Sequence, residues 1–140
     1  MKIEDYAIFR GRNKKGGEIM AINSKAKGGR GERLLVNELK KHGYNVRRSQ
    51  QYCGNTGEAM DIIGLQGIHI ECKNTKVLRL KEYLAQAKHD AEKANKGNLP
   101  AVFYKIPRGD WVTIMPLEAW LTLYGMSDIS DKDELDEVGE

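Results

Sequence analysis

Residues 59–73 constrain the fold of this chain more than any other stretch, because apolar and polar side chains alternate there on either side of a glycine-bracketed turn. Ala59 to Ile63 and Ile68 to Lys73 are short β-rich runs, with Gly64 and Gly67 flanking their connection, so the segment predicts a β-hairpin. Alternation in the second run puts Ile68, Ile70 and Cys72 on one face, the expected core, and His69, Glu71 and Lys73 on the other. Register decides where Asp61 points, since a slip of one residue reverses every side chain. A three-residue connection, Leu65-Gln66-Gly67, sets Asp61 directly across from Glu71. A two-residue turn at Leu65-Gln66 would oppose it to Ile70 unless a bulge restored the phase. The expectation is the odd connection or a bulge.

Two carboxylates side by side repel and are expensive to keep ionised without a cation. Mg²⁺ resolves this, because it takes hard oxygen ligands from one or two carboxylates while keeping several waters. With Lys73 beside them, Asp61 and Glu71 suit metal-assisted hydrolysis of a phosphodiester: the ion activates water and polarises the phosphate, and the lysine stabilises charge on the phosphoryl oxygens. A charge-stabilising lysine is favoured over a general base, because two acids flank it. The ordinary alternative is a surface strand with a Glu-x-Lys pair, common on any sheet.

A third carboxylate weighs against that alternative. Gly28 to Gly43 reads as a Gly-rich entry, a helix and a glycine stop, with positions 32, 35, 36 and 39 at helical spacing. Glu32 therefore shares the stripe of Leu35, Val36 and Leu39 that should face the sheet. Its simpler role would be to complement the helix dipole in the first turn, worth up to about 1 kcal/mol.

Gly-Arg-Gly-Glu at 29–32, Asp61-Ile62-Ile63 and Glu71-Cys72-Lys73 together resemble the PD-(D/E)xK nuclease superfamily, and within it the archaeal-type Holliday junction resolvases and their phage relatives. The resemblance spans roughly residues 28–115, and Met60 stands where the family often has proline. It implies an α/β fold, a central mixed β-sheet flanked by α-helices as in restriction endonucleases. It also implies Asp61 and Glu71 as metal ligands, completed by Glu32 and the backbone carbonyl of Cys72, with Lys73 as the water-orienting or charge-stabilising group. Mg²⁺ is the implied cofactor, with Mn²⁺ able to substitute. Gln86, early on the next helix, stands where related nucleases often place a polar side chain near the metal. Two symmetric incisions in a four-way junction further imply a homodimer.

Charge is divided by region. Residues 1–48 hold thirteen Lys and Arg against five acids, whereas residues 127–140 hold seven acids and Lys132, so the formal net charge of +3 hides a basic body. A basic surface supplies salt-dependent affinity for a phosphate backbone. The clusters Arg10, Arg12, Lys14, Lys15 and Lys25, Lys27, Arg30, Arg33 mix charge with glycine, which lets backbone N–H groups approach phosphate. They are read as DNA contacts, although basic loops are often merely solvated. Tyr52, in the polar loop 49–57, is a candidate for stacking on an unpaired base.

The organisation expected is a basic arm over 1–27, a nuclease domain over 28–126 and a disordered acidic tail over 127–140. Tyr44 to Arg48, Leu99 to Ile106 and Trp111 to Met115 read as strands. Residues 80–96 read as a helix with a stripe of Leu84, Ala87, Ala91 and Ala94, for packing on the sheet or on a second subunit, and a last helix runs from Pro116 to Tyr124. Trp111 and Trp120 read as core or interface aromatics. Cys53 and Cys72 lack metal-ligand spacing and are expected as free thiols, and His42, His69 and His89 as surface residues. With no bilayer-spanning run and no signal-peptide pattern, the expected location is cytoplasmic. Other readings are a repair or restriction-type endonuclease acting on duplex or flap DNA, and a non-catalytic nucleic-acid-binding module.

Overall fold

A mixed sheet of five strands, in the order β1-β2-β3-β4-β5, carries helices on both faces. The structure, a computed structural model, describes residues 17–49 and 60–130, with the backbone alone for residues 17–26. Its elements are α1 (Gly17–Lys41), β1 (Arg47–Arg48), β2 (Ile62–Ile63), β3 (Ile68–Lys73), α2 (Leu80–Ala94), β4 (Leu99–Lys105), β5 (Trp111–Ile114) and α3 (Leu117–Gly125). Strands β1, β2 and β3 pair antiparallel, β4 lies parallel to β3, and β5 returns antiparallel. Parallel neighbours need a crossover connection, and α2 supplies it. This is the α/β architecture expected. Among the described residues no helix is long and apolar enough to cross a membrane.

The period of two along the strands explains why both faces are covered. Ile62 and Ile70 join Leu35 and Val36 of α1 and Val46 in one core, with Ile68, Cys72 and Phe103 packed against it. Val102, Tyr104 and Ile106 form the second core with Tyr83 and Ala87 of α2. The buried stripe of α2 is Tyr83, Ala87 and Ala91, one residue round from the stripe expected, and Leu84 is only half-buried. Of the two packing partners left open for these small residues, the sheet is the one used.

Helix α1 begins at Gly17, so Gly28, Gly29 and Gly31 lie inside it instead of forming a Gly-rich entry. Glycine in a helix interior costs roughly 1 kcal/mol relative to alanine. Gly31 has a packing reason: a Cβ there would stand 2.6 Å from Cβ of Asn74, just past the end of β3. The bare backbone lets α1 approach that strand end and brings Glu32 with it.

The hairpin holds the expected register, with Ile62 bridged to Ile70, which sets Asp61 level with Glu71. The turn itself centres on Gln66-Gly67, closed by Ile68 N–H donating to Leu65 O at 3.1 Å. Turn and bridge differ in phase by one residue, and Gly64, at φ 134°, takes up the difference. No side chain fits at Gly64, because a Cβ would lie 2.4 Å from Asn45 O.

Three further expectations are corrected. The strand expected over 44–48 pairs only at Arg47 and Arg48, because Tyr44 is left exposed and Val46 alone reaches the core. Ser127 to Ser130, expected as the start of a disordered tail, instead form hydrogen-bonded turns after α3, with Ser127 N–H donating to Tyr124 O at 3.0 Å; the rest of that tail lies outside the described residues. His69, expected at the surface, is fully buried, whereas His42 and His89 are exposed.

Candidate active site

Strand β3 presents His69, Glu71 and Lys73 on the face that α2 covers, while Asp61 comes from the chain entering β2 and Glu32 from α1. Regular pairing stops at Ile62: Asp61 N–H donates to Ile70 O at 2.9 Å, and Cys72 N–H donates to Asp61 Oδ2 at 2.7 Å. The aspartate side chain thus replaces a backbone partner on the edge of β3. A strand residue that exchanges hydrogen bonds with a neighbour points its N–H and C=O to the same side, so the Cys72 carbonyl faces the edge where Asp61 stands.

Burial, followed by the charge of Glu71, pushes the Asp61 carboxyl up to about 7; the Cys72 N–H pulls it down, Glu32 raises it further, and Lys73 lowers it. Both neighbouring acids act to raise it, the signature of carboxylates gathered at one place. The same surroundings act on the Cys72 thiol, which burial and then the charges of Asp61 and Glu32 push well above its ordinary value. The shift favours the neutral thiol over the thiolate.

Each charged group has a holder. Arg48 donates from Nε and Nη2 to Glu32 Oε2, both at 2.8 Å. Lys73 Nζ donates to Gln86 Oε1 at 2.8 Å and lies 5.1 Å from the ring centroid of Tyr83. Gln86 and Tyr83 stand one helical turn apart on α2, so that helix sets the position of the lysine. Glu71 is 1% exposed and lies 3.1 Å from Nε2 of His69. One ligand atom each of His69, Glu71 and Asp90 falls within 4.8 Å of the others, a knot on the α2 side of the strand.

Of the residues singled out from sequence, Glu32, Asp61, Glu71, Cys72, Lys73 and Gln86 are thus linked by contact or by charge. Arg30 and Arg33 lie exposed on α1, Lys27 lies half-buried on it, and Lys25 falls on the same helix. Arg10, Arg12, Lys14, Lys15 and Tyr52 lie outside the described residues. Sequence reasoning missed Arg48, Tyr83, His69 and Asp90. The three-residue step from Tyr83 to Gln86 was the available signal for Tyr83, and the alternation that placed His69 beside Glu71 was the signal for the histidine.

The family model described as "Phage putative PDDEXK endonuclease" matches residues 23–132, and the chain belongs to that endonuclease family. Among solved structures, it is similar to Hjc of Archaeoglobus fulgidus, a Holliday junction resolvase from an archaeal hyperthermophile, at 29% identity and a TM-score of 0.48, over 64% of this chain and 72% of that one. No curated protein matches the chain.

Proposed function

We propose that this endonuclease cleaves DNA with a divalent cation held by Asp61, Glu71, Glu32 and the Cys72 carbonyl, and that branched DNA is its substrate. The observation that carries this reading is the setting of Asp61: its carboxyl is largely buried and feels the charges of both Glu71 and Glu32, with Oδ2 fixed by the Cys72 N–H at 2.7 Å. Three acids kept together in a largely buried place are stable as anions only with a positive charge among them. An oxygen-only donor set fits the hard cations Mg²⁺ and Mn²⁺. When bound, such an ion activates water and polarises the scissile phosphate.

The chain's own residues do the rest. Lys73, held by Gln86 and Tyr83, presents its amine where charge develops on the phosphoryl oxygens, and this placement costs no reorganisation at the moment of reaction. Arg48 holds the Glu32 carboxylate at the edge of the site. Arg30 and Arg33, exposed on the helix that carries Glu32, lie suitably for the DNA backbone. Arg10, Arg12, Lys14 and Lys15, which precede α1 in the sequence, add their charge to that contact. The motif order shared with archaeal-type resolvases supports branched DNA.

A homodimer follows from the same reading, since a junction needs two incisions and each chain offers one site. Leu117, Trp120 and Leu121 of α3 are exposed along one helical stripe and supply an apolar surface for a second copy.

The test is cleavage of a labelled four-way junction, with matched linear duplex and flap DNAs, under Mg²⁺ and under EDTA. Paired symmetric cuts in the junction alone are expected. Cation-dependent cutting of duplex or flap would keep the site and discard branch selectivity. Absence of any cutting under Mg²⁺ or Mn²⁺, with DNA still bound, would point to a non-catalytic binding module.

A further inference from the structure

His69 and Glu71 are neighbours on the buried face of β3, at 0% and 1% exposure. Resting on the assignment of Glu71 as a cation ligand, we propose that His69 is its positioning residue, donating Nε2–H to Glu71 Oε1 and so orienting Oε2 for the ion.

The donor inventory sets the direction of that contact. Nε2 lies 3.1 Å from Oε1, whereas Nδ1 is buried with no hydrogen-bond partner among the described residues. A neutral imidazole carries one N–H. Placed on Nδ1, it would bury an unpaired donor and set a nitrogen lone pair against a carboxylate lone pair. Placed on Nε2, it meets the oxygen and strands only an acceptor. The imidazole therefore donates to Glu71 and does not compete for its lone pairs.

The consequence for the site is rotational. Glu71 has three side-chain torsions, and a ligand carboxylate free to turn would have to be ordered when the ion arrives. Packing under α2 and the bond to His69 do this ordering on folding, as outer-shell hydrogen bonds to metal ligands commonly do. Asp90, whose carboxylate lies within 4.8 Å of a ligand atom on each of the pair, comes from α2 and also contacts His89 Nδ1 at 3.3 Å. It takes no hydrogen bond from His69 Nδ1, which has no partner among the described residues, and so leaves the His69 to Glu71 bond intact.

The experiment is Mn²⁺ titration by calorimetry on the full chain, comparing wild type with H69Q, H69N, D90N and E71Q, each checked for folding by circular dichroism. A glutamine amide nitrogen reaches about as far as Nε2, whereas an asparagine nitrogen falls short, near the position of Nδ1. The expected result is affinity within about threefold of wild type for H69Q and D90N, and at least a tenfold loss for H69N. Equal affinity in H69N and wild type, or equal loss in H69Q and H69N, overturns the proposal. Should H69N fail to fold, ¹⁵N NMR of the wild-type imidazole decides: an Nε2–H tautomer is expected, and an Nδ1–H tautomer overturns it. Nitrogen modulation from His69 in the spin-echo spectrum of bound Mn²⁺ would mean direct ligation and also overturn it. Normal affinity in E71Q would instead remove the ligand assignment on which the proposal stands.

Discussion

Arg48 donates from both Nε and Nη2 to Glu32 Oε2, each at 2.8 Å, and so ties the short β1 strand to the middle of α1. Both side chains are largely buried, at 27% and 21% exposure, which puts the pair above an ordinary surface ion pair. Arg48→Ala is expected to lower stability by about 1–2 kcal/mol, the range for a charged hydrogen-bonded pair with some solvent screening. The midpoint of urea unfolding would fall without a change in slope. An unchanged midpoint would mean that the pair holds nothing together.

Asp61 makes a pH prediction with a definite sign. Its carboxyl is raised from 3.8 to about 7, so between these values the folded protein keeps a proton that the unfolded chain has lost. Stability in the absence of divalent cations should fall as pH rises from about 4 to about 7 and then level off. Asp61→Asn removes this slope, so the variant should match wild type near pH 4 and exceed it in unfolding midpoint at pH 8. Its amide oxygen still accepts the Cys72 N–H. The same variant should lose cleavage at all pH values. Mg²⁺ or Mn²⁺ should raise the wild-type midpoint at pH 8 much more than at pH 5.5, because the ion must displace the proton at the lower pH. Parallel pH profiles for wild type and variant would refute the account of Asp61.

Much of this site was legible in the sequence, and the reasons for the gaps are physical. The Ile68 to Lys73 alternation fixed which side chains share a face, because that pattern is local to one strand, whereas the hairpin register rested on an odd connection or a bulge, and the change of phase at Gly64 supplies it. Glu32 was legible through the stripe it shares with Leu35 and Val36. Arg48 and Tyr83 were not, since their contacts with Glu32 and Lys73 span sixteen residues in one case and depend on how α2 sits over β3 in the other. The start of α1 was misjudged because glycine weakens a helix by its own propensity, and only the nearness of Asn74 to Gly31 explains its presence there. His69 was misread because alternation tells which face a side chain takes and not what later covers that face.

Gly31→Ala tests that close approach. The new methyl would meet Asn74 Cβ at 2.6 Å, and neither atom is the end of a flexible chain. Helix propensity alone favours alanine by about 1 kcal/mol, whereas overpacking costs typically about 1–3 kcal/mol. The expected net outcome is a loss of stability together with weaker cation binding, because Glu32 is carried away from Asp61 with its helix. A stabilised variant with unchanged Mn²⁺ affinity would show that α1 has room to spare.

The exposed stripe of α3 can be separated from the catalytic groups by substitution at Leu117 and Leu121. Leu117→Glu together with Leu121→Glu changes side chains that lie 71% and 50% exposed, so folding should be unaffected. If this stripe joins two copies, light scattering should show the mass fall from dimer to monomer. Cleavage of a four-way junction should then lose its pairing, with single nicks replacing coordinated cuts. A wild-type monomer, or a variant that remains dimeric, would move the second copy off α3.

Lys73 gives the sharpest test of the chemistry, because its holders can be removed without touching the amine. Lys73→Met should cut the cleavage rate by about a hundredfold or more, the scale for loss of one preorganised charge stabiliser, while Mn²⁺ binding persists. Gln86→Ala deletes the acceptor 2.8 Å from Nζ and leaves the ring of Tyr83 as the remaining guide. The lysine then samples more positions, and misplacement of a catalytic group by about 1 Å costs up to about a hundredfold. An intermediate loss of about tenfold, carried by the single-turnover rate and not by DNA affinity, is therefore expected for Gln86→Ala. A loss confined to DNA affinity would make Gln86 a substrate contact and leave the lysine to position itself.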